Sequence, residues 1–363
     1  MTSAMSLSRA DESKPIIRVG LVGYGLAGSA FHAPLIATTS GLRLDVIVTS
    51  DATRQADAVR AYPGVQILDT PDALWRRAHD LDLVVLATPN RTHAPLSHAA
   101  LAVGLPVVVD KPFAATADAA RALIADAGER KLMLTVYQNR RWDGDFLTVR
   151  QLDEKGAFGK IFRFESRFER WRPTPKLGWR ERSDPAEAGG ILYDLGSHLI
   201  DQAILLLGDV DSVYAQLDRR RRGVEVEDDV FVALTHRSGA QSHLWMSAVA
   251  ALAGPRFQVL GDKAAYIKFG LDVQEDALRR GERPGAGDWG AEPRERWGTL
   301  GAGDHLETIP TRQGAYQGFY EGVVRSLRDG TPPPVDPSDA ARGLDIIAAA
   351  RRSAEQKAVI QIR

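Results

Sequence analysis

The chain reads Ile16-Ile17-Arg18-Val19-Gly20-Leu21-Val22-Gly23-Tyr24-Gly25-Leu26-Ala27-Gly28 near its start. This is a short apolar run followed by a G-x-G-x-x-G loop. In such a loop the first glycine permits the tight turn, the second lets the backbone approach a pyrophosphate, and the third permits close helix–strand packing. Because the loop follows a strand and opens a helix, it predicts a dinucleotide-binding βα unit, with an ordinary glycine-rich turn as the alternative.

The rest of the first half alternates strand-like and helix-like stretches. Runs as apolar as these are typical of a parallel sheet that is covered on both faces. The alternation predicts a doubly wound Rossmann domain over residues 15–138, after a disordered lead-in at 1–14. The predicted strands are 16–22, 44–49, 65–68, 81–87, 106–109 and 132–136, and the predicted helices are 27–38, 51–61, 92–103 and 116–130.

The second half has longer strands joined by short connections. This pattern predicts a C-terminal α/β domain over residues 139–363, built on a large, open, mainly antiparallel sheet. Residues 281–303 are rich in Gly, Pro, Glu and Trp and are predicted to form a long irregular loop. The predicted strands are 161–170, 210–218, 228–235, 242–248, 256–260 and 264–268, and the predicted helices are 145–154, 195–207, 315–328 and 338–354.

Composition excludes several classes of function. The chain has 363 residues, a length that predicts two domains, and its 46 Lys and Arg balance 47 Asp and Glu. It therefore lacks the positive excess that nucleic-acid binding requires. The absence of cysteine excludes disulfide scaffolds, cysteine–metal sites and thiol catalysis, and no metal site is expected. With no run of ~18 apolar residues and no signal-peptide core, we expect a cytoplasmic protein without a membrane partner.

The end of the second predicted strand bears on the choice between NAD and NADP. An acidic residue there would bind the ribose 2′-hydroxyl, whereas a small polar residue with a nearby arginine favours a 2′-phosphate. Ser50 lies at the predicted strand tip and Arg54 follows four residues later, which favours NADP. Asp51 keeps NAD possible, because a shift of one residue would place its carboxylate on the ribose.

Two further strand ends carry polar residues, where the crevice of such a sheet binds its ligand. After the fourth strand, Thr88, Pro89 and Asn90 are candidate cofactor contacts, and His93 is either a site residue or an ordinary helix residue. After the fifth strand stands Asp110-Lys111-Pro112. Because a lysine is costly to bury, Lys111 is expected to emerge at a crevice or at a partner group; a surface turn is the alternative.

Asp194 and His198 are four residues apart, so in a helix they share a face. An enzyme that oxidises a hydroxyl group needs a residue that accepts the O–H proton, and histidine suits that task near neutral pH. A neighbouring carboxylate can orient the histidine, and a lysine can polarise the oxygen. The alternative is a helix cap and a buried core residue. Tyr137, Asn139 and Arg140 end the sixth strand and are candidate substrate contacts or simple domain-boundary residues.

In this order and at these spacings, the motifs resemble the glucose–fructose oxidoreductase/inositol dehydrogenase (Gfo/Idh/MocA) family, over about residues 16–362. More narrowly, several stretches resemble the NADP-dependent scyllo-inositol dehydrogenase branch. The stretches that carry the two resemblances are the glycine loop, Asp110-Lys111-Pro112, residues 189–201, residues 22–34, Val136-Tyr137-Gln138-Asn139-Arg140-Arg141-Trp142-Asp143 and Trp289-Gly290-Ala291-Glu292-Pro293.

The resemblance implies a dehydrogenase that acts on a CH–OH group of a cyclitol, sugar or related polyol, with Lys111, Asp194 and His198 as its catalytic set. It also implies a homodimer or homotetramer that forms through the open face of the second sheet. Two residues depart from the pattern: Asp110 replaces the usual glutamate, and Gln138 stands where the branch often has histidine. An aldose dehydrogenase, an imine or enone reductase, and a non-catalytic NADP-binding sensor on the same fold remain alternatives.

Overall fold

The computed structural model describes residues 15–175, 178, 181, 183–285 and 287–362. The lead-in predicted for residues 1–14 lies outside the described residues. The described chain forms two sheets, the first with six strands and the second with nine.

The first sheet follows the predicted alternation. Its strands are β1 (Ile17–Val22), β2 (Leu42–Val48), β3 (Gln66–Leu68), β4 (Leu83–Leu86), β5 (Val107–Val109) and β6 (Leu134–Val136). They are parallel and lie in the order β3-β2-β1-β4-β5-β6. This is the doubly wound Rossmann order, so the predicted fold class is confirmed for this half. The order reverses between β1 and β4, which is where such sheets form their ligand crevice.

Helices cover both faces of the first sheet. A π-helical turn, Ala27–His32, runs directly into α1 (Ala33–Thr38); the other helices are α2 (Ala52–Ala61), α3 (Pro71–Trp75), α4 (His93–Ala102) and α5 (Ala117–Arg130). Side-chain caps fix three of the starts: Asp51 accepts a hydrogen bond from the N–H of Arg54, Thr70 from that of Ala73, and Thr116 from that of Ala119. With helices on both faces, every residue of β4 and β5 is buried.

The second sheet is mixed and mainly antiparallel, as predicted. Its strands are β7 (Ile161–Glu169), β8 (Val210–Asp218), β9 (Asp229–His236), β10 (Gln241–Ser247), β11 (Phe257–Gly261), β12 (Ala265–Lys268), β13 (Gly298–Ala302), β14 (His305–Ile309) and β15 (Ile360–Gln361). They lie in the order β14-β13-β12-β11-β7-β10-β9-β8-β15, and β7 and β10 form a parallel pair near the centre. Phe164 and Phe168 of β7 point into the apolar core.

One face of the second sheet packs against helices. The helices of this half are α6 (Gly144–Glu154), α7 (Ser197–Leu207), α8 (Gln274–Arg279), α9 (Gln317–Asp329) and α10 (Pro337–Gln356). The long α10 contacts α7 and β8 of this half and also α5 of the first half. The buried apolar side chains of both halves therefore join in one continuous core. The division between Gln138 and Asn139 stays a prediction.

The prediction of an irregular loop over residues 281–303 is wrong in its last third. Arg294–Arg296 forms a 3-10 turn, and β13 then pairs with β12 and with β14 to extend the sheet. The glycines that suggested a loop are there for close packing. A Cβ on Gly298 would lie 2.3 Å from the hydroxyl of Tyr266, and a Cβ on Gly301 would lie 2.0 Å from the carbonyl oxygen of His305.

Candidate active site

The glycine loop after β1 has a shape that two of its glycines make possible. Gly23 has a φ of +97°, and a Cβ there would lie 2.5 Å from the carbonyl oxygen of Ala87. A Cβ on Gly28 would lie 2.0 Å from the carbonyl oxygen of Gly23. Beside Gly25, by contrast, the nearest atom to such a Cβ is 3.9 Å away, on Arg54. The loop therefore packs closely at Gly23 and Gly28 and leaves free space beside Gly25, as expected where the backbone approaches a pyrophosphate.

A cavity of about 440 Å³ lies beside this loop, next to α2. Arg54 borders it and is half exposed, while Ser50 is exposed just beyond β2. Asp51 uses its Oδ1 to accept the backbone N–H of Arg54 at 3.0 Å, which caps α2. The cavity is lined by Tyr24, Gly25, Leu26, Ser29, Arg54, Asp57, Arg60 and Ala61.

The segment after β4 supports the crevice from behind. Asn90 is buried, and its Nδ2 donates to the carbonyl oxygen of Glu187 at 2.9 Å, which joins this segment to the second half of the chain. His93 is fully buried, with Nδ1 2.8 Å from the carbonyl oxygen of Pro112 and Nε2 3.0 Å from that of Thr88. His93 thus lies buried between two site loops, and its predicted contact with a cofactor stays a prediction. The Thr88 hydroxyl lies 2.7 Å from that of Thr92.

Lys111 and Asp194 meet although they are 83 positions apart. The Nζ of Lys111 donates to Oδ1 of Asp194 at 3.0 Å and to the backbone carbonyl of Asp194 at 2.7 Å. The lysine follows β5, and Asp194 lies in the π-helical turn Leu192–Gly196 that leads into α7. In this pair the Lys111 side chain remains one-sixth exposed at the wall of a cleft.

His198 is oriented by a residue that the motif analysis did not select for this role. Its Nδ1 lies 3.2 Å from Oε1 of the buried Gln138. With an amide oxygen on that side, Nδ1 donates and Nε2 keeps the lone pair. The sequence suggests a carboxylate that orients the histidine; in the structure Asp194 is bonded to Lys111, and Gln138 lies against His198. The signal that could have pointed to Gln138 was its departure from the histidine of the branch.

Burial lowers the pKa of the His198 imidazole well below its ordinary value, and the charges of Lys111 and Arg140 lower it further. The ring is therefore neutral at physiological pH. A neutral imidazole that lines a cleft can accept a proton.

Asp110 is buried beside Lys111, and its Oδ1 accepts the backbone N–H of Lys111 at 2.8 Å. Burial alone would raise the pKa of the Asp110 carboxyl. The neighbouring His32 and the Lys111 charge outweigh that effect and hold the pKa below its usual value. The carboxylate is therefore charged where it borders the cleft.

Arginines and one carboxylate form the far wall of the cleft. Arg140 is buried and pairs with Glu275, which also lies 2.8 Å from Arg279 and 3.6 Å from Arg170. Burial alone would raise the pKa of Glu275, but these three cations lower it to about 2. Burial lowers the pKa of the Arg170 guanidinium to about 10. Glu275 stands in α8 outside any recognisable motif, so sequence patterns did not indicate its role.

The catalytic candidates and the arginine wall face one cleft, which has a volume of about 410 Å³. Residues from both halves of the chain line it. Those that bear on the chemistry are Leu26, Ala27, Asp110, Lys111, Tyr137, Asn139, Arg140, Arg170, Asp194, His198 and Glu275. The structure thus brings Lys111, Asp194 and His198 together with part of the glycine loop, while Arg54 lines the neighbouring cavity and Ser50 lines neither.

The described residues contain neither a membrane-spanning helix nor a cluster of metal ligands. None of the helices there combines the length and the apolar character that a membrane span requires. The same part of the chain contains no group of three or more His, Asp or Glu side chains placed to bind a metal ion.

Comparison with known proteins covers both halves of the chain. Residues 17–138 match the oxidoreductase family, NAD-binding Rossmann fold, and residues 150–362 match the oxidoreductase family, C-terminal alpha/beta domain. The uncharacterized oxidoreductase YdgJ of Escherichia coli is 40% identical, over 95% of this chain and 98% of its own. The scyllo-inositol 2-dehydrogenase (NADP(+)) IolW of Bacillus subtilis is 35% identical, over 95% of this chain and 96% of its own.

A solved structure of the oxidoreductase yvaA from Bacillus subtilis superposes with a TM-score of 0.91 at 34% identity, covering 96% of this chain and 99% of its own. These relatives match nearly the whole length of the chain, and the solved structure also shares its fold. The chain belongs to the Gfo/Idh/MocA family of oxidoreductases, with an NAD-binding Rossmann domain and a C-terminal α/β domain.

Proposed function

We propose that the protein is an NADP-preferring dehydrogenase that oxidises a CH–OH group of a cyclitol or sugar-type polyol. The observation that carries the proposal is the convergence of the Lys111 ammonium and the neutral His198 imidazole on one cleft next to the glycine loop. The relative IolW, which is named for NADP(+) and scyllo-inositol, supports the same substrate class.

The residues present fit a nicotinamide dinucleotide. The space in front of Gly25 is open, while Gly23 and Gly28 close the loop behind it, so the backbone can hold a pyrophosphate. Asp110 and Thr88, with Pro89 beside it, are placed at strand ends to hold the nicotinamide half. When bound, the dinucleotide supplies the acceptor for the hydride that leaves the substrate carbon.

His198 is the proposed proton acceptor. As the substrate O–H bond breaks, its proton passes to Nε2, and the hydrogen bond from Nδ1–H to Gln138 keeps that nitrogen basic. The protonated ring returns the proton to water or to a carbonyl substrate in the reverse direction.

Lys111 is proposed to donate a hydrogen bond to the substrate oxygen, where negative charge builds up as the proton leaves. Asp194 holds the ammonium in place through its Oδ1 and its backbone carbonyl. Exchange of roles between Lys111 and His198 is the alternative. The neutral, buried imidazole favours His198 as the base, and the ion-paired lysine favours a donor.

Asn139 and Arg140 are proposed to hold other hydroxyl groups of the polyol. Both line the cleft on the 3-10 turn Asn139–Trp142, and Arg140 is fixed by its contact with Glu275. Tyr137 also lines the cleft, and its buried hydroxyl has no hydrogen-bond partner among the described residues. A ligand hydroxyl would supply that partner.

The NADP preference is proposed on the surroundings of Arg54. This half-exposed guanidinium borders the cavity at the glycine loop, and Ser50 is exposed just beyond β2, whereas Asp51 is engaged in capping α2. We expect Arg54→Ala to raise the KM for NADP about tenfold and to leave the KM for NAD unchanged. A wild-type enzyme that clearly prefers NAD would refute the assignment of Arg54.

The reaction is tested with a panel of inositols, aldoses and hydroxy acids assayed for NADPH formation. Turnover of a cyclitol supports the proposal, and turnover confined to aldoses points to an aldose dehydrogenase. Imines and enones are tested in the opposite direction, as substrates for reduction by NADPH. If the protein binds NADPH tightly but turns over none of these compounds in either direction, it is better explained as a sensor.

The catalytic assignment is tested with Lys111→Ala, which should abolish turnover and retain NADPH binding. Lys155→Ala, on the exposed end of α6, is the matched control and should behave as wild type. Full activity of the Lys111 variant would contradict the assignment.

A homo-oligomer is proposed through the outer face of the second sheet. That face carries half-buried aromatic side chains that touch one another: Phe231, His243 and Trp245. The guanidinium of Arg167 lies 3.9 Å from the ring centre of Trp245. Apolar surface of this kind favours contact with a second copy of the sheet.

A further inference from the structure

A buried histidine stands behind the cleft and has no part in the proposed chemistry. His32 ends the π-helical turn after the glycine loop, and its side chain is entirely buried. Its Nδ1 lies 2.6 Å from the hydroxyl of Tyr320 on α9. Its Nε2 has no hydrogen-bond partner among the described residues, and the nearest carboxylate oxygen recorded for it is Oδ1 of Asp110 at 3.8 Å.

The two neighbours of the ring determine where its hydrogen lies. If Tyr320 donates its hydroxyl hydrogen to Nδ1, then Nε2 carries the ring N–H and directs it toward Asp110. The opposite tautomer would turn a lone pair toward a carboxylate, which is repulsive in a buried site. The chain of contacts therefore runs from the Tyr320 hydroxyl through His32 to Asp110.

Asp110 needs such a neighbour. Its carboxylate is buried, and a buried charge is costly unless nearby groups compensate for it. One compensating contact is the backbone N–H of Lys111, on Oδ1. Because 3.8 Å is longer than a hydrogen bond, the His32 contact is an electrostatic one that a shift of Asp110 by about 1 Å would convert into a bond.

The packing around His32 also fixes the ring rigidly. Tyr137 lies against it with 4.3 Å between ring centres, and Tyr320 meets it edge-on at 6.2 Å. Phe319 closes the group from the other side of Tyr137 at 5.0 Å. A ring held by two aromatic neighbours and one hydrogen bond can hold Asp110 in one orientation.

We propose that His32 is a positioning residue for the dinucleotide: through Asp110 it holds the nicotinamide half in the cleft, in a Tyr320–His32–Asp110 chain. The inference rests on the proposed cofactor site but not on the identity of the polyol. His32 is fully buried and does not line the cleft, so it acts on the dinucleotide only through Asp110.

The test compares binding of NADPH with binding of adenosine 2′,5′-bisphosphate, which lacks the nicotinamide half. His32→Leu keeps an apolar side chain in the pocket and removes the ring N–H. We expect the Kd for NADPH to rise about tenfold, the effect of losing an interaction with a charged group, while the Kd for the fragment stays unchanged. His32→Gln, which can present an amide N–H toward Asp110, should restore most of the affinity.

His236→Leu is the matched control. This histidine is also buried, and both its ring nitrogens lie 2.8 Å from partners, the carbonyl oxygen of Gly208 and the hydroxyl of Ser242. It lies in β9 outside the cleft lining. The control should lower Tm without changing either Kd.

A double-mutant cycle with Asp110→Asn separates the proposal from a packing effect. In the Asp110→Asn background, His32→Leu should cost no further NADPH affinity. The proposal would be overturned by an equal loss of NADPH affinity in both backgrounds, by an equal loss of affinity for the fragment, or by wild-type NADPH affinity in His32→Leu.

If His32→Leu does not fold, Tyr320→Phe keeps the ring packing and should still raise the Kd for NADPH about threefold. An unchanged Kd in that variant would overturn the proposal. Failure of the wild type to bind any dinucleotide would instead refute the proposed function.

Discussion

At the scale of single residues, the site depends on the hydrogen-bond partners of Lys111, Asp194 and His198. The sequence motifs identified Lys111, Asp194 and His198 but paired them differently from the structure, in which Lys111 bonds to Asp194 and His198 to Gln138. A spacing of four residues predicts a shared helix face, yet the partner of a side chain on that face comes from another element. Such pairings depend on tertiary packing and are not contained in local sequence.

Gln138 is expected to tune His198 as a base. Gln138→Leu removes the acceptor for Nδ1–H, so we expect kcat to fall about tenfold with the Kd for NADPH unchanged. Gln138→Glu keeps the contact and adds a negative charge, which should raise the pKa of His198 and move the acidic limb of kcat/KM to higher pH. Identical pH profiles for all three proteins would show that Gln138 has no influence on the base.

The pH dependence of the wild type follows from the buried imidazole. Burial lowers the pKa of His198 well below its ordinary value, so the ring stays unprotonated, and active as a base, as the pH falls through neutrality. We expect kcat/KM for alcohol oxidation to stay level down to about pH 6.5, the ordinary histidine value, and to decline only below it. An acidic limb centred above pH 7 would contradict this assignment.

At the scale of elements, most strands and helices follow from sequence pattern, and the exceptions have physical causes. The apolar runs of the parallel sheet are clear because both faces are covered. The hairpin of β13 and β14 was missed because Gly298 and Gly301, which usually indicate turns, are needed here for close packing against Tyr266 and the neighbouring strand. Glycine is ambiguous in sequence because it serves both purposes.

The start of α2 gives a prediction about the cofactor. Asp51 caps this helix, so Asp51→Ala should lower the free energy of unfolding by about 1 kcal/mol. It should not weaken NADPH binding, because it removes a negative charge near Arg54. Thr116→Ala, which removes the cap of α5, is the control and should cost a similar amount of stability with no effect on binding. Loss of NADH binding in Asp51→Ala alone would instead make Asp51 a ribose ligand.

At the scale of the whole molecule, buried ion pairs tie the segment that follows the first sheet to the helices of the C-terminal half. Arg141 follows the last parallel strand, and its guanidinium binds both carboxylate oxygens of Asp201 on α7, at 2.6 and 2.8 Å. It also reaches Asp339 on α10 at 2.9 Å. One side chain thus fixes two helices of the C-terminal half to the end of the N-terminal sheet.

Removal of Arg141 should therefore destabilise the protein strongly. Arg141→Met leaves Asp201 buried without its main cation, and we expect a loss of about 3–5 kcal/mol in the free energy of unfolding, measured by chemical denaturation. Arg150→Met removes an exposed partner of Glu154 and should cost less than about 0.5 kcal/mol. A loss below about 1 kcal/mol for Arg141→Met would show that the contact is not important for stability.

The proposed assembly is tested on the outer face of the second sheet. Trp245→Glu places a charge among the aromatic side chains there and should shift the protein to monomers in light scattering. Val103→Glu, at an exposed apolar position of the N-terminal half, is the control and should leave the mass unchanged. A wild type that is already monomeric, or an unchanged mass for Trp245→Glu, would exclude this face as the interface.

The long helix α10 has a consequence for dissecting the enzyme. It lies near the end of the chain, yet it packs on α5 of the Rossmann half as well as on α7 and β8. A fragment cut after Gln138 would expose the surface of α5 that α10 covers, and would tend to aggregate. A cofactor-binding module that stands alone would therefore need this helix grafted back, for example by a circular permutation that brings residues 337–356 ahead of β1.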